Sequence, residues 1–140
     1  MERTFDTKTI RLVAAFENIT KVPTKDCFVD STTNTAYFIV DEGKIGLAIG
    51  RNGESVKHVE KVLKMNVKVY EFSSDLATFV KNIIPYVRNV NLKNNGNGTM
   101  VEINVERSHK AVVIGRDGKN IEFYRKIIMR NHGVSGVMVR

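Results

Sequence analysis

The chain has 140 residues, of which 42% are hydrophobic and 26% are charged, a composition that is typical of globular domains and excludes a largely disordered protein. Its 22 Lys and Arg side chains outnumber 15 Asp and Glu, so the net charge is +7, which favours a polyanionic partner such as nucleic acid or an anionic membrane surface. The single cysteine, Cys27, excludes an internal disulfide and a cysteine-based zinc cluster, and we expect it to be a small buried residue.

No segment has the pattern of a targeting signal or a membrane span. Residues 1–6 lack the apolar core of a signal peptide, and no later stretch is apolar for long enough to cross a bilayer. We therefore expect a cytoplasmic protein with no membrane partner.

The first half of the chain predicts the order helix, strand, strand, helix, turn, helix, strand. Asp6 or Thr7 can cap the first helix, and Pro23 marks its end. Its apolar face is predicted from Ile10, Val13 and Ala14, with Leu12, Phe16 and Ile19 beside them. The predicted segments are a helix over 8–20, a hairpin of strands 27–29 and 35–40, helices over 44–49 and 54–64, and a strand over 66–72. The last of these helices is expected to bury Val56, Val59, Val62 and Leu63.

The second half repeats this order. A helix over 76–83 is closed by Pro85, whose ring and missing N–H are incompatible with a continuing helix. The following segments are predicted as strands over 87–92 and 100–105, helices over 108–114 and 119–131 with a cap at His132 and Gly133, and a strand over 134–139.

A shift of 65 positions superposes the two halves without a gap. It places Ile49-Gly50-Arg51-x-Gly53 on Ile114-Gly115-Arg116-x-Gly118, and it matches apolar residues in the helices that follow. The sequence therefore predicts two small domains, residues 1–73 and residues 74–140. Residues 1–73 carry 11 basic and 10 acidic side chains, a net +1, whereas residues 74–140 carry 11 and 5, a net +6. The second half is thus the stronger candidate for contact with a polyanion.

The paired glycine turns have the chemistry of a phosphate contact. Glycines let a backbone approach another molecule closely, and the helix N-terminus that follows favours phosphate. Cationic side chains lie within or just after the turns, and apolar side chains flank them and could line a shallow groove for unpaired bases. The candidate RNA-binding residues are Ile49, Gly50, Arg51, Asn52, Gly53, Val56, Lys57, Ile114, Gly115, Arg116, Asp117, Gly118, Lys119 and Ile121.

The motif Ile-Gly-x-x-Gly between two helices resembles the KH domain, in which a GXXG loop clamps a short run of single-stranded nucleotides. The element order is similar to the type II variant, which implies an α+β fold of two tandem KH domains, each a three-stranded mixed sheet packed against three helices. Two such modules filling the whole chain resemble the KH pair of the NusA transcription factors. Since 140 residues leave no room for the polymerase-binding and OB-fold domains of bacterial NusA, the chain resembles the short archaeal NusA-like proteins. This resemblance implies a role in transcription termination, antitermination or elongation through RNA contact by both loops.

The residues do not predict an enzyme, a metal site or a cofactor. His58, His109 and His132 lack the spacing of metal ligands and are expected at the surface or at caps. Gly118-Lys119-Asn120 lacks the Ser or Thr that a phosphate-binding P-loop uses to hold Mg²⁺. The basic residues Lys61, Arg125 and Lys126 are interpreted as a solvated helix face, and Tyr37, Phe38, Phe79 and Phe123 as core.

Two alternatives to direct RNA regulation stay open at this point. The near-neutral first half is compatible with an adaptor that docks on RNA polymerase, with RNA contact secondary. A KH protein bound to ribosomal components would share the same loops.

Overall fold

The structure is a computed structural model that describes residues 6–94 and 96–140. Residues 1–5, which the sequence predicts to lack signal-peptide character, lie outside the described residues, as does Asn95 in the predicted hairpin loop. None of the described helices has the length and apolar character needed to cross a membrane. The chain divides into two compact units, Met1–Ser73 and Ser74–Arg140.

The first unit follows the predicted element order closely. Helix α1 is begun by Asp6, whose carboxylate accepts a hydrogen bond from the Thr9 N–H at 2.7 Å, and it ends at Lys21 in the left-handed conformation. The elements are α1 Thr7–Thr20, β1 Thr24–Asp30, β2 Thr35–Val40, α2 Ile45–Ile49, α3 Glu54–Leu63 and β3 Asn66–Glu71. Strand β2 lies at the centre of the sheet, antiparallel to β1 and parallel to β3.

The core of the first unit differs from the predicted buried faces at Ile10 and Val62. Helix α1 buries Leu12, Phe16 and Thr20, whereas Ile10 is 54% exposed. The Phe16 ring stacks on Phe38 at 4.1 Å, and this large contact selects one of two overlapping apolar stripes. Thr20 can be buried because its hydroxyl donates to the Phe16 carbonyl at 2.9 Å.

In α3, Val59 is fully buried but Val62 is 52% exposed. At 100° per residue, Val56 and Leu63 project from the same side of Val59, whereas Val62 projects from the other side. The predicted burial of Val62 is therefore wrong, and Val56 and Leu63 pack against the core while remaining half-buried.

The second unit has the same architecture. Its elements are α4 Leu76–Ile83, β4 Val87–Asn94, β5 Thr99–Val105, α5 Arg107–Ile114, α6 Lys119–His132 and β6 Gly136–Val139. Strand β5 is central, antiparallel to β4 and parallel to β6, and Gly133 caps α6 as predicted. The described residues thus form two mixed three-stranded sheets, and the predicted α+β class is confirmed.

The third strand of each sheet is an outer strand, so every second residue in it turns its backbone N–H and C=O groups away from the sheet. In β3 and just beyond it, the N–H groups of Asn66 and Phe72 donate toward the β2 side, so the alternate residues Val67 and Val69 turn their N–H and C=O groups outward. In the second unit Arg140 donates to the Ile103 carbonyl, so Val137 and Val139 face outward in the same way. These two open strand edges lie beside the candidate sites.

Candidate nucleic-acid interface

Each glycine turn is a single tight 3₁₀ turn between two helices, and the two turns have nearly the same conformation. In the first, Gly50 (φ 79°, ψ 172°) ends α2, and Gly53 (φ 74°, ψ 15°) begins α3. In the second, Gly115 has φ 77° and ψ 171°, and Gly118 has φ 74° and ψ 14°. The N–H of Gly53 donates to the Gly50 carbonyl at 3.1 Å, and Gly118 donates to Gly115 at the same distance. We call residues 50–53 the first GXXG loop and residues 115–118 the second.

The first glycine of each loop is required by packing as well as by its backbone angle. A Cβ added to Gly50 would stand 2.5 Å from the Ser55 Oγ and 2.9 Å from the Ser55 backbone nitrogen. A Cβ on Gly115 would stand 2.6 Å from the Asn120 Cγ. The second glycines differ, because a Cβ on Gly53 or Gly118 would meet nothing closer than 3.9 Å. Only the first glycine of each loop is therefore sterically constrained by its neighbours.

The Asn120 side chain supports the second loop through a hydrogen bond and through packing. Its side-chain amide donates a hydrogen bond to the Val112 carbonyl at 2.9 Å, which satisfies one of the free carbonyls at the end of α5. The same side chain covers Gly115, so one residue both closes the helix end and supports the turn. From the sequence alone, Asn120 is only the residue that excludes a P-loop.

The cationic side chains at the loops are available to a ligand. Arg51, Lys57, Arg116 and Lys119 are exposed, and none of them is in an ion pair among the described residues. Asn52 and Asp117 occupy the loop tips and are exposed as well. Each loop therefore presents uncompensated positive charge next to a closely approachable backbone, and the second loop adds one carboxylate.

The apolar residues predicted to flank the loops are unequal in exposure. Ile49 and Ile114 end the helices before the loops and are 38% and 36% exposed. Val56 is half-buried, whereas Ile121 is only 7% exposed and belongs mostly to the core. In the second unit a groove of about 570 Å³ runs between α6 and β6, and its lining includes Ile114, Ile121 and Val137. In the second unit, Ile114 and Ile121 thus line one groove, and Ile121 is almost completely buried at its base.

In each unit, a charged side chain on the helix that follows the GXXG loop forms a hydrogen bond with the backbone of the third strand. In the first unit the Glu60 Oε2 accepts a hydrogen bond from the Val67 N–H at 2.9 Å. In the second, Arg125 donates from Nε and Nη2 to the Val137 carbonyl, at 3.3 and 3.0 Å. The interpretation of Arg125 as part of a solvated face is therefore incomplete. Spacing gives a signal for both residues, since each follows an apolar groove position, Val56 or Ile121, by four residues and so lies on the same helix face.

The other predicted residues lie as follows. His109 stacks on Tyr86 with 4.0 Å between ring centroids, and His132 lies 5.2 Å from the Phe79 ring at the end of α6. Phe38 and Phe79 are fully buried, while Tyr37 and Phe123 are half-buried. The described residues contain no cluster of His, Cys, Asp and Glu that could hold a metal ion.

Comparison with known proteins identifies relatives over nearly the whole chain. A KH domain family model matches residues 13–94, which includes the first GXXG loop and extends to the end of β4. The chain is 33% identical over 135 residues to the "Probable transcription termination protein NusA" of Methanocaldococcus jannaschii, covering 95% of this chain and 73% of that protein. It is 32% identical to the protein of the same name from Halococcus morrhuae, covering 98% of each.

A solved structure has the same fold. The crystal structure of APE1850 superposes with a TM-score of 0.77 at 35% sequence identity, and the match covers 97% of this chain and 100% of that one. At this identity and coverage the likeness extends beyond the fold to the sequence.

Proposed function

The chain belongs to the archaeal NusA-like proteins, which carry a KH domain, and we propose that it binds single-stranded RNA through both GXXG loops in transcription termination, antitermination or elongation. The observation that carries this proposal is the near-identity of the two loops, each with free cations beside an approachable backbone. On this proposal the units are two tandem type II KH domains, residues 1–73 and 74–140.

The cationic residues at the loops would contact RNA phosphates, and the flanking apolar residues would contact the bases. Arg51 and Lys57 in the first unit, and Arg116 and Lys119 in the second, would neutralise phosphates, a contribution that weakens as salt rises. The half-exposed isoleucines and the groove of the second unit would hold unpaired bases against an apolar surface. A duplex cannot present its bases in this way, so single strands are the expected ligand.

A titration with matched single-stranded and duplex RNA tests this function. Two variants, Arg51→Asp and Arg116→Asp, reverse the charge of exposed loop residues, and we expect each to weaken binding and the pair together to reduce it by about a hundredfold at low salt. Arg11→Asp on α1 and Lys81→Asp on α4 serve as controls, because they reverse exposed charges outside the loops and lower the net charge equally. Equal affinity for single strands and duplex, or equal losses in loop and control variants, would contradict RNA binding by the loops.

A second candidate function is an adaptor that docks on RNA polymerase or on ribosomal components. The balance of +1 in residues 1–73 favours it, because a nearly neutral surface gains little from RNA phosphates. Affinity capture with and without ribonuclease treatment separates the two functions. Polymerase that stays bound after ribonuclease supports the adaptor, whereas polymerase or ribosomal subunits lost with the RNA support RNA binding.

A further inference from the structure

Two side chains of opposite charge occupy equivalent places in the two units. Glu60 and Arg125 are related by the same shift of 65 positions as the GXXG loops. The strand residues they contact are equivalent as well, because Val67 pairs with Ala36 in the first sheet and Val137 pairs with Val101 in the second. Each helix therefore contacts the same point of the strand edge with the opposite charge.

The two contacts use opposite backbone groups. The Glu60 carboxylate accepts from the Val67 N–H, whereas the Arg125 guanidinium donates to the Val137 carbonyl. In the first unit this leaves the outward Val67 carbonyl and the second oxygen of Glu60, both of which are acceptors. In the second unit it leaves the outward Val137 N–H, which is a donor.

Arg125 retains donors of its own. A guanidinium carries five N–H bonds. Two of them point to the Val137 carbonyl, and Nη1 supplies one more to the exposed Glu122 carboxylate. Arg125 is itself one of the residues that line the groove, together with Ile114, Ile121 and Val137, beside the second GXXG loop. An unpaired base in that groove would meet donors along its polar edge.

On the basis of the RNA-binding function proposed above, we propose that Glu60 and Arg125 are specificity-determining residues that give the two loops opposite base preferences. The strand edge of the first unit beside Glu60, where acceptors remain, takes bases that present an amino group. The groove of the second unit, rich in donors, takes bases that present carbonyl oxygens. Cytosine and uracil are the sharpest pair for this distinction, because they have the same ring size and differ at position 4 in an amino donor or a carbonyl acceptor.

The experiment uses the full chain and octamers of cytidine or uridine labelled for fluorescence anisotropy. Arg51→Asp weakens the first loop, so that binding reports on the groove of the second unit. Arg116→Asp weakens the second loop, so that binding reports on the strand edge beside Glu60 in the first unit. With Arg51→Asp we expect the uridine octamer to bind about fivefold more tightly than the cytidine octamer. With Arg116→Asp we expect the cytidine octamer to bind about fivefold more tightly than the uridine octamer, as one hydrogen bond would give.

Glutamine at both positions provides the matched test. Its carbonyl can still accept from the Val67 N–H in Glu60→Gln, and its amide can still donate to the Val137 carbonyl in Arg125→Gln. Adding Glu60→Gln to Arg116→Asp, or Arg125→Gln to Arg51→Asp, should bring the preference close to one. Urea unfolding confirms that each variant is folded, and the two single loop variants test the opposite preferences even if a glutamine variant is unstable.

The possible outcomes distinguish the proposed base preferences from the proposed RNA binding itself. The specificity role of Glu60 and Arg125 is overturned if both loop variants prefer the same pyrimidine, or if the glutamine substitutions leave the preferences unchanged. RNA binding by the loops would stand in either case. Failure of the unmodified chain to bind either octamer overturns the proposed function, and the base preferences with it.

Discussion

Asn52 and Asp117 hold the same position in the two GXXG loops with almost the same backbone, φ 55° and ψ 27° for one and φ 57° and ψ 25° for the other. This left-handed conformation is costly for most residues, but Asn and Asp adopt it more readily than others. The two loops therefore agree in shape and differ in one charge at the tip.

Exchanging these two residues should move RNA affinity in opposite directions without changing the fold. Asn52→Asp places a carboxylate where phosphate is expected, and Asp117→Asn removes one. We expect the first variant to bind single-stranded RNA about threefold more weakly and the second about threefold more tightly at low salt, with the difference shrinking as salt rises. Anisotropy titrations at two salt concentrations measure this. Changes of the same sign in both variants would contradict phosphate contact at the loop tips.

The two glycines of one loop should differ in their tolerance of substitution. Gly50→Ala forces a Cβ into the Ser55 backbone and side chain at a positive φ, and we expect a loss of about 3 kcal/mol in the free energy of unfolding. Gly53→Asn enters open space at a φ that Asn adopts, so a loss of about 1 kcal/mol or less is expected. Urea unfolding compares the two. If Gly53→Asn is as destabilising as Gly50→Ala, the close approach of Ser55 is not the reason for the first glycine.

The cap of α4 should make stability depend on pH in the acidic range. The Thr78 hydroxyl and then the Thr78 N–H donate to the Asp75 carboxylate, and these hydrogen bonds lower the pKa of Asp75 below its ordinary value of 3.8. Because the folded pKa lies below the unfolded one, the stabilisation is complete above the ordinary pKa and is lost as the pH falls through the folded pKa.

Two substitutions of Asp75 isolate this contribution. Asp75→Asn keeps a cap that does not titrate, so we expect most of the stability at neutral pH, with a weaker dependence as the pH falls below the ordinary aspartate pKa of 3.8. Asp75→Ala should be less stable than both at neutral pH. The midpoint of urea unfolding measured across this pH range gives the comparison, and identical pH profiles for the unmodified chain and Asp75→Asn would exclude the cap as a source of the dependence.

Phe16 and Val62 are both predicted from the sequence to lie on or beside a buried helix face, but they differ in burial in the structure. Phe16 is fully buried against the Phe38 ring, so Phe16→Ala should cost about 4 kcal/mol in the free energy of unfolding through lost contacts and a cavity. Val62→Ala on the exposed side of α3 should cost less than about 0.5 kcal/mol. Chemical denaturation of both variants gives the two values, and a comparable loss in Val62→Ala would mean that Val62 is covered in solution.

Element order and loop position could be predicted because they depend on local sequence. The glycine pairs, the caps at Asp6 and Gly133, and alternating segments such as residues 35–40 each determine backbone conformation within a few residues. Two overlapping apolar stripes on α1 could not be resolved in this way. The choice between Ile10 and Phe16 depends on the position of the Phe38 ring, which is more than 20 residues away in the chain.

The contacts of Glu60 and Arg125 are a harder case, because they form only when a helix packs beside the strand that follows it. Its charge favours a solvated face for Arg125, and nothing in the local sequence indicates which backbone group it contacts. The internal repeat nevertheless provides the relevant comparison, since aligning the two halves places a carboxylate opposite a guanidinium at a position facing the groove. Such a charge reversal between aligned repeats is a signal worth testing for function.

The same two side chains bear on how the protein avoids self-association. An outer strand with free N–H and C=O groups can pair with a strand of another molecule, and this is a common route to aggregation. Glu60 occupies the Val67 N–H and Arg125 occupies the Val137 carbonyl, so an approaching strand would have to displace a charged side chain to form a regular ladder. Substituting either residue by an apolar one should therefore raise the tendency of the protein to aggregate, independently of any effect on nucleic acid.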